Sequence, residues 1–131
     1  MLFIAAEGRM KLIAAFLLLA INGQALAAET SSGAGAEIGK LLSALGASKC
    51  EFYRNGSWHD AAEAQAHLTM KYEYLRDKRR ISTTEQFIAD AGSKSSMSGE
   101  PYQVRCPGRP AEPSAKWLGD ELVRLRQERG P

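Results

Sequence analysis

The chain of 131 residues contains two cysteines, Cys50 and Cys106, and a bond between them dictates much of the topology. Each ends a short run with strand character, Cys50-Glu51-Phe52-Tyr53-Arg54 and Tyr102-Gln103-Val104-Arg105-Cys106. Side chains on a strand alternate between faces, and an antiparallel partner runs in the opposite direction. Setting Cys50 opposite Cys106 therefore sets Phe52 opposite Val104 and Arg54 opposite Tyr102. The apolar members of both runs then share one face, as a half-buried sheet requires. Covalent bond and hydrophobic pattern demand the same register.

Oxidation of the pair depends on the compartment, and the N-terminus bears on that. Leu12 to Ile21 is an uncharged apolar run preceded by Arg9 and Lys11 and followed by Asn22-Gly23-Gln24-Ala25-Leu26-Ala27. This is the layout of a secretory signal peptide over residues 1–27, with cleavage expected after Ala27. Met10, followed by Lys11, is the more natural start than Met1. The apolar core is about half of the roughly 20 residues that cross a bilayer, so the mature chain is expected to have no membrane span. An exported chain with an even cysteine count is expected to pair them, closing a loop worth about 4 kcal/mol. A redox pair or a zinc site fits less well, since there is no C-x-x-C and two sulfurs do not complete a zinc shell.

With 44% apolar and 24% charged residues the chain fits one soluble domain, not a disordered tail or a multidomain enzyme. Removal of residues 1–27 leaves 15 basic and 14 acidic residues, a balance that argues against a nucleic-acid partner. The one dense basic run, Lys78-Arg79-Arg80, falls at the expected end of a helix, where cations complement the helix dipole.

Residues 28–36 are small and polar and read as a flexible leader, with a single domain over residues 37–129. Ile38, Leu41, Leu42 and Leu45 form one helical stripe that Gly46 is placed to end. Asn55-Gly56 between two short strand-like runs predicts a two-residue hairpin. Asp60 and Glu63 have the spacing of a capping box ahead of the stripe Ala64, Leu68, Tyr72 and Leu75. Hydroxyls at Ser82 and Thr83 precede a shorter helix facing inward through Phe87, Ile88 and Ala91 and ended by Gly92. Ser114 is placed to cap a last helix carrying Trp117, Leu118, Leu122 and Leu125. The expected fold class is α+β: a small antiparallel sheet of two or three strands covered by about four helices, with one disulfide.

Tyr53-Arg54-Asn55-Gly56, the helix start from Asp60 to His67, Ser93-Lys94-Ser95-Ser96-Met97-Ser98-Gly99-Glu100-Pro101-Tyr102 and Val104-Arg105-Cys106-Pro107-Gly108 together resemble the YfeK-like family. That family consists of small exported bacterial proteins with a domain of unknown function. The resemblance runs from about Glu37 to Arg126. It implies a periplasmic location and a two-cysteine pattern like this one, and it brings no activity, substrate or catalytic residue.

The segment from Ser93 to Tyr102 gathers the most functional groups. Lys94, Ser95, Ser96 and Ser98, with Arg105 on the adjoining strand, form a candidate nest for an anion: a wall-peptide carboxylate, a lipid phosphate or an acidic face of another protein. The competing reading is that the serines bond the loop's own backbone. The favoured function is thus a noncatalytic binding or adaptor domain for an anionic envelope ligand or protein partner. The alternative is a small cell-envelope serine hydrolase, which requires a serine within hydrogen-bond reach of Lys94, His59 or His67. No G-x-S-x-G elbow or S-x-x-K pattern supports it, and no catalytic residue is assigned. His59, Glu63 and His67 are considered as metal ligands and set aside for want of H-E-x-x-H, so no metal or other cofactor is expected. Trp58, Tyr72, Tyr74 and Trp117 offer stacking surfaces but are expected in the core.

Overall fold

A computed structural model describes residues 32–130, so the expected signal peptide lies outside the described residues. The first helix, α1 (Ser32–Ala47), leads into strands β1 (Glu51–Arg54) and β2 (Ser57–His59). Helices α2 (Ala61–Asp77) and α3 (Thr84–Asp90) follow, then β3 (Gln103–Arg105), β4 (Glu112–Pro113) and α4 (Ser114–Glu128). The sheet is antiparallel with order β2-β1-β3-β4. Among the described residues, no helix is long and apolar enough to cross a membrane.

The register is the one the cysteines require. Phe52 pairs with Val104, flanked by Glu51 with Arg105 and Tyr53 with Gln103. One step beyond that ladder Cys50 and Cys106 are bonded, with Cα atoms 4.2 Å apart. Asn55 and Gly56 have φ of 48° and 88°, the doubly positive turn whose twist matches that of the flanking strands. Phe52, Tyr102 and Val104 are buried on the inner face, while Glu51, Gln103 and Arg105 are exposed on the outer one. Strand β4 exceeds the expected two or three strands. It has only two residues, and Pro113, which lacks an N–H, is tolerated because it lies on the sheet's edge.

The four helices bury the apolar stripes expected of them. Ile38, Leu41, Leu45, Ile81, Phe87 and Leu118 are 1% exposed or less, and Phe52 meets Trp117 edge-on at 5.8 Å between ring centroids. Burying a side chain such as Phe87 completely contributes about 2–3 kcal/mol. Glu37 is also buried, with guanidinium groups on its carboxylate. Arg126 donates to it at 2.8 and 3.1 Å and Arg129 at 2.7 Å, and Arg126 also pairs with Glu85 at 2.6 Å, tying α4 to α1 and α3. The hydrogen bonds from Arg126 hold the Glu37 carboxyl at about 2, against its burial.

Several local expectations change. The first helix begins at Ser32, not near Glu37, so it takes in residues 32–36 of the segment read as a leader. Gly46 lies inside it, one residue before its end at Ala47, with the tip of the Gln65 side chain of α2 packed against it. Asp60 caps α2 by accepting from the Glu63 N–H at 2.8 Å, but the Glu63 carboxylate turns to His59 instead of completing the box. The hydroxyl cap expected at α3 does form, as a complete box between Thr83 and Gln86. Ser114 does not cap α4; its N–H donates to the Tyr102 carbonyl at 2.9 Å, and Pro113 stands at the N-cap without a side-chain bond. Helix α2 ends with Arg79 at φ 55°, its N–H on Arg76 O and the Arg80 N–H on Leu75 O, a left-handed cap usually occupied by glycine.

Candidate functional site

The serine-rich segment is built to hold its own shape. The Ser95 hydroxyl is buried and accepts from the N–H groups of Met97 and Ser98, both at 3.2 Å. Ser93 donates to the Ile88 carbonyl at 2.6 Å, and Ser98 donates to Asn55 Oδ1 at 2.8 Å, fastening the loop to the hairpin turn. Ser96 stays exposed. Lys94 forms a bridge with Pro101 through its backbone. Arg105 projects from the outer sheet face, pairs with Glu51 at 3.2 Å and lies over the Trp58 ring at 4.0 Å. The expected nest of Lys94, Ser95, Ser96, Ser98 and Arg105 is therefore not drawn together: the Ser95 and Ser98 hydroxyls hold the loop in place, Ser96 faces solvent, and the arginine serves the other face.

What the loop does contribute is Tyr102, the residue that the register places opposite Arg54. Beneath them runs α2, whose His67 and Lys71 are four residues apart and so lie on one helical face. Arg54 donates from Nη1 to His67 Nδ1 at 3.1 Å; His67 Nε2 lies 3.2 Å from the Tyr102 hydroxyl. Lys71 Nζ donates to that hydroxyl at 3.1 Å and to the Lys94 carbonyl at 2.9 Å. Strand β1, helix α2 and the loop thus meet in an open ring of four polar side chains, joined from Arg54 through His67 and Tyr102 to Lys71.

The donor and acceptor inventory fixes the protons in this ring. A guanidinium has only donors, so His67 Nδ1 must accept and Nε2 must carry the hydrogen. The Tyr102 oxygen then accepts twice, from His67 and from Lys71, which leaves its own O–H proton without an acceptor among the described residues. Burial, helped by the charges of Arg54, Lys71 and His59, lowers His67 to about 4, so the imidazole is neutral at pH 7. Burial and then Arg54 lower Lys71 to about 8, and burial raises Tyr102. Among the described residues neither Arg54 nor Lys71 has a carboxylate in ion-pair range, and Glu63, which lines the same cleft, is bound to His59 at 2.8 Å. The cleft over His67 narrows to a hollow of about 20 Å³, room for one water molecule or one ligand oxygen. The site is rich in donors and poor in acceptors.

The other candidates sort out on the same geometry. Among the described residues no serine hydroxyl is hydrogen-bonded to Lys94, His59 or His67, so the hydrolase reading has no base-activated nucleophile. His59 and Glu63 bind each other while His67 turns to Arg54 and Tyr102, and no three His, Cys, Asp or Glu residues among those described converge as metal ligands. Tyr72 and Trp117 are core residues; Trp58 instead stacks on Tyr53 and Arg105 outside the sheet, and Tyr74 is 59% exposed. The ring itself had a partial signal in the sequence. Glu63, His67 and Lys71 recur every four residues and Arg54 faces Tyr102 by register, but the two patterns converge only through packing.

Residues 32–126 match the model of a family described as of unknown function, DUF5329. The chain is 44% identical over 68 residues to the uncharacterized protein YfeK of Salmonella typhimurium (strain LT2). That match covers 51% of this chain and 55% of YfeK, so the likeness spans about half of the relative. No solved structure matches.

Proposed function

The chain belongs to the DUF5329 family of unknown function, and on that premise we propose that it is an exported, noncatalytic binding domain of the periplasm whose ligand is anionic. The observation that carries the reading is the ring of Arg54, His67, Tyr102 and Lys71, where donors outnumber acceptors and two cations lack a carboxylate among the described residues. An oxyanion supplies the missing element. One oxygen accepts the unused Tyr102 proton while Lys71 and Arg54 offer their remaining N–H groups, and charge-assisted bonds of this kind are the strong ones. The serine-rich loop acts as a wall that presents Tyr102 and the Lys94 carbonyl. The disulfide supports export, since such bonds persist in oxidising compartments.

The test is a titration with sodium acetate and with inorganic phosphate, followed by NMR of the His67 imidazole and by calorimetry. Binding is expected to raise the His67 pKa from about 4, because an anion beside it offsets the charges of Arg54 and Lys71. Affinity is expected to grow as pH falls through the Lys71 value of about 8, where that amine takes up its proton. Arg54→Met and Lys71→Met should each weaken binding several-fold. If neither anion perturbs His67 up to the solubility limit, the reading fails.

A further inference from the structure

Lys71 belongs to two surfaces at once. Its ammonium group stands at one end of the polar series, on Tyr102, and it also borders a groove of about 370 Å³ lined by Met70, Lys71, Tyr74, Leu75, Arg80 and Ser96. Met70, Lys71, Tyr74 and Leu75 lie on one face of α2, Ser96 comes from the serine-rich loop, and Arg80 follows the left-handed cap at Arg79. Met70 and Tyr74, 60% and 59% exposed, account for two of the four large hydrophobic side chains left in solvent among the described residues. Neither Lys71 nor Arg80 has a carboxylate partner among those residues. Exposed apolar side chains grouped beside cations without a carboxylate partner form a surface suited to an amphiphile.

We infer that the groove takes a free fatty acid, its carboxylate on Lys71 and Tyr102 and its chain along Met70, Tyr74 and Leu75. The inference rests on the anion site proposed above and names its ligand class. Two free donors, the Tyr102 O–H and a Lys71 N–H, match the two oxygens of a carboxylate: Lys71 borders the groove, and its Nζ lies 3.1 Å from the Tyr102 hydroxyl. The floor of the groove is helix side chains, whose own backbone is already hydrogen-bonded, so it offers nothing to a peptide main chain but suits an alkyl chain. Methionine adapts to such a chain without a fixed shape. The volume falls in the roughly 300–1,000 Å³ range of small-molecule sites. Arg80, exposed and on the same wall, adds a second cation at the rim of the groove.

Calorimetric titration of the full chain with octanoate, acetate and octanol separates the parts. Octanoate is expected to bind at least tenfold more tightly than either acetate or octanol. The exposed double variant Met70→Ser/Tyr74→Ser should bring octanoate down to the acetate value and leave acetate unchanged, whereas Lys71→Met should weaken both. Octanoate binding no better than acetate, or an unaffected double variant, overturns the fatty-acid groove while the anion site stands. Octanol binding as well as octanoate overturns the assignment of the carboxylate to Lys71. Failure of both carboxylates to bind removes the anion site and the groove together. Far-ultraviolet circular dichroism of each variant checks that it is folded.

Discussion

Reduction of the Cys50–Cys106 bond is expected to lower the free energy of unfolding by about 4 kcal/mol. The bond joins residues 56 apart, and in the unfolded chain it removes the configurations of a loop of that size, a cost that grows with the logarithm of loop length. The native state changes little, because Glu51 with Arg105 and Phe52 with Val104 still hold the two strands in register. Against the roughly 5–15 kcal/mol that holds a domain of this size, the loss is a large share. Trp117, buried and edge-on to Phe52, supplies a fluorescence probe of the intact core. Urea titrations with and without reductant, with full reduction checked by thiol labelling, give both midpoints. At a slope of about 1.5 kcal/mol/M the midpoint falls by about 2.5 M, and the slope itself steepens because the open chain exposes more surface. A midpoint moved by less than about 0.5 M at full reduction would refute the loop argument. It would mean that the unfolded chain keeps the two segments together without the bond.

Glu37→Gln should cost about 1–2 kcal/mol, discounted because the arginines over it are themselves solvated. Glu37 titrates at about 2 when folded and near 4.5 otherwise, so its contribution is present above pH 4.5 and fades as pH falls toward 2. Thermal melts of wild type and variant should converge over that window. Lys71→Met should stabilise the fold at pH 7, since it removes a half-buried cation without a carboxylate partner among the described residues; unchanged or lower stability in urea would count against that charge balance. The folded value of about 8 lies below the ordinary 10.5, so wild-type stability should rise between pH 8 and 10.5, where the unfolded chain holds more protons, and the variant should lack that rise. Arg79→Gly should raise stability by about 0.5–1 kcal/mol by relieving the left-handed backbone at φ 55°, and a lowered melting temperature would show that the arginine side chain matters more than the strain.

The features legible in the sequence are those set by covalent bonds or by short-range periodicity. Alternation along two strands and one pair of thiols sufficed for the Phe52–Val104 register; Asn55-Gly56 sufficed for the turn; leucines at helical spacing sufficed for the buried stripes of α1, α2 and α4. The same alternation that turns Val104 inward turns Arg105 outward, away from the face that carries Tyr102. Strand β4 escaped because two residues ending in proline carry no periodicity. The α2 box stayed incomplete because Glu63 found His59, and Ser114 became the first residue of α4, one position past the cap, outcomes that spacing alone cannot rank.

Tertiary packing alone decided the site. Arg54, His67, Lys71 and Tyr102 come from a strand end, two turns of a helix and the close of a loop, and only the docking of α2 under the hairpin makes them neighbours. Their protonation follows from that same packing, since burial and the repulsion between neighbouring cations arise only once the elements are docked together. The serines show the converse: in the sequence they are free hydroxyls, and folding spends three of them on the loop's own framework. Local order is written in residue spacing because its interactions span a few positions, whereas a binding site depends on which distant donors are left over after the rest have found partners.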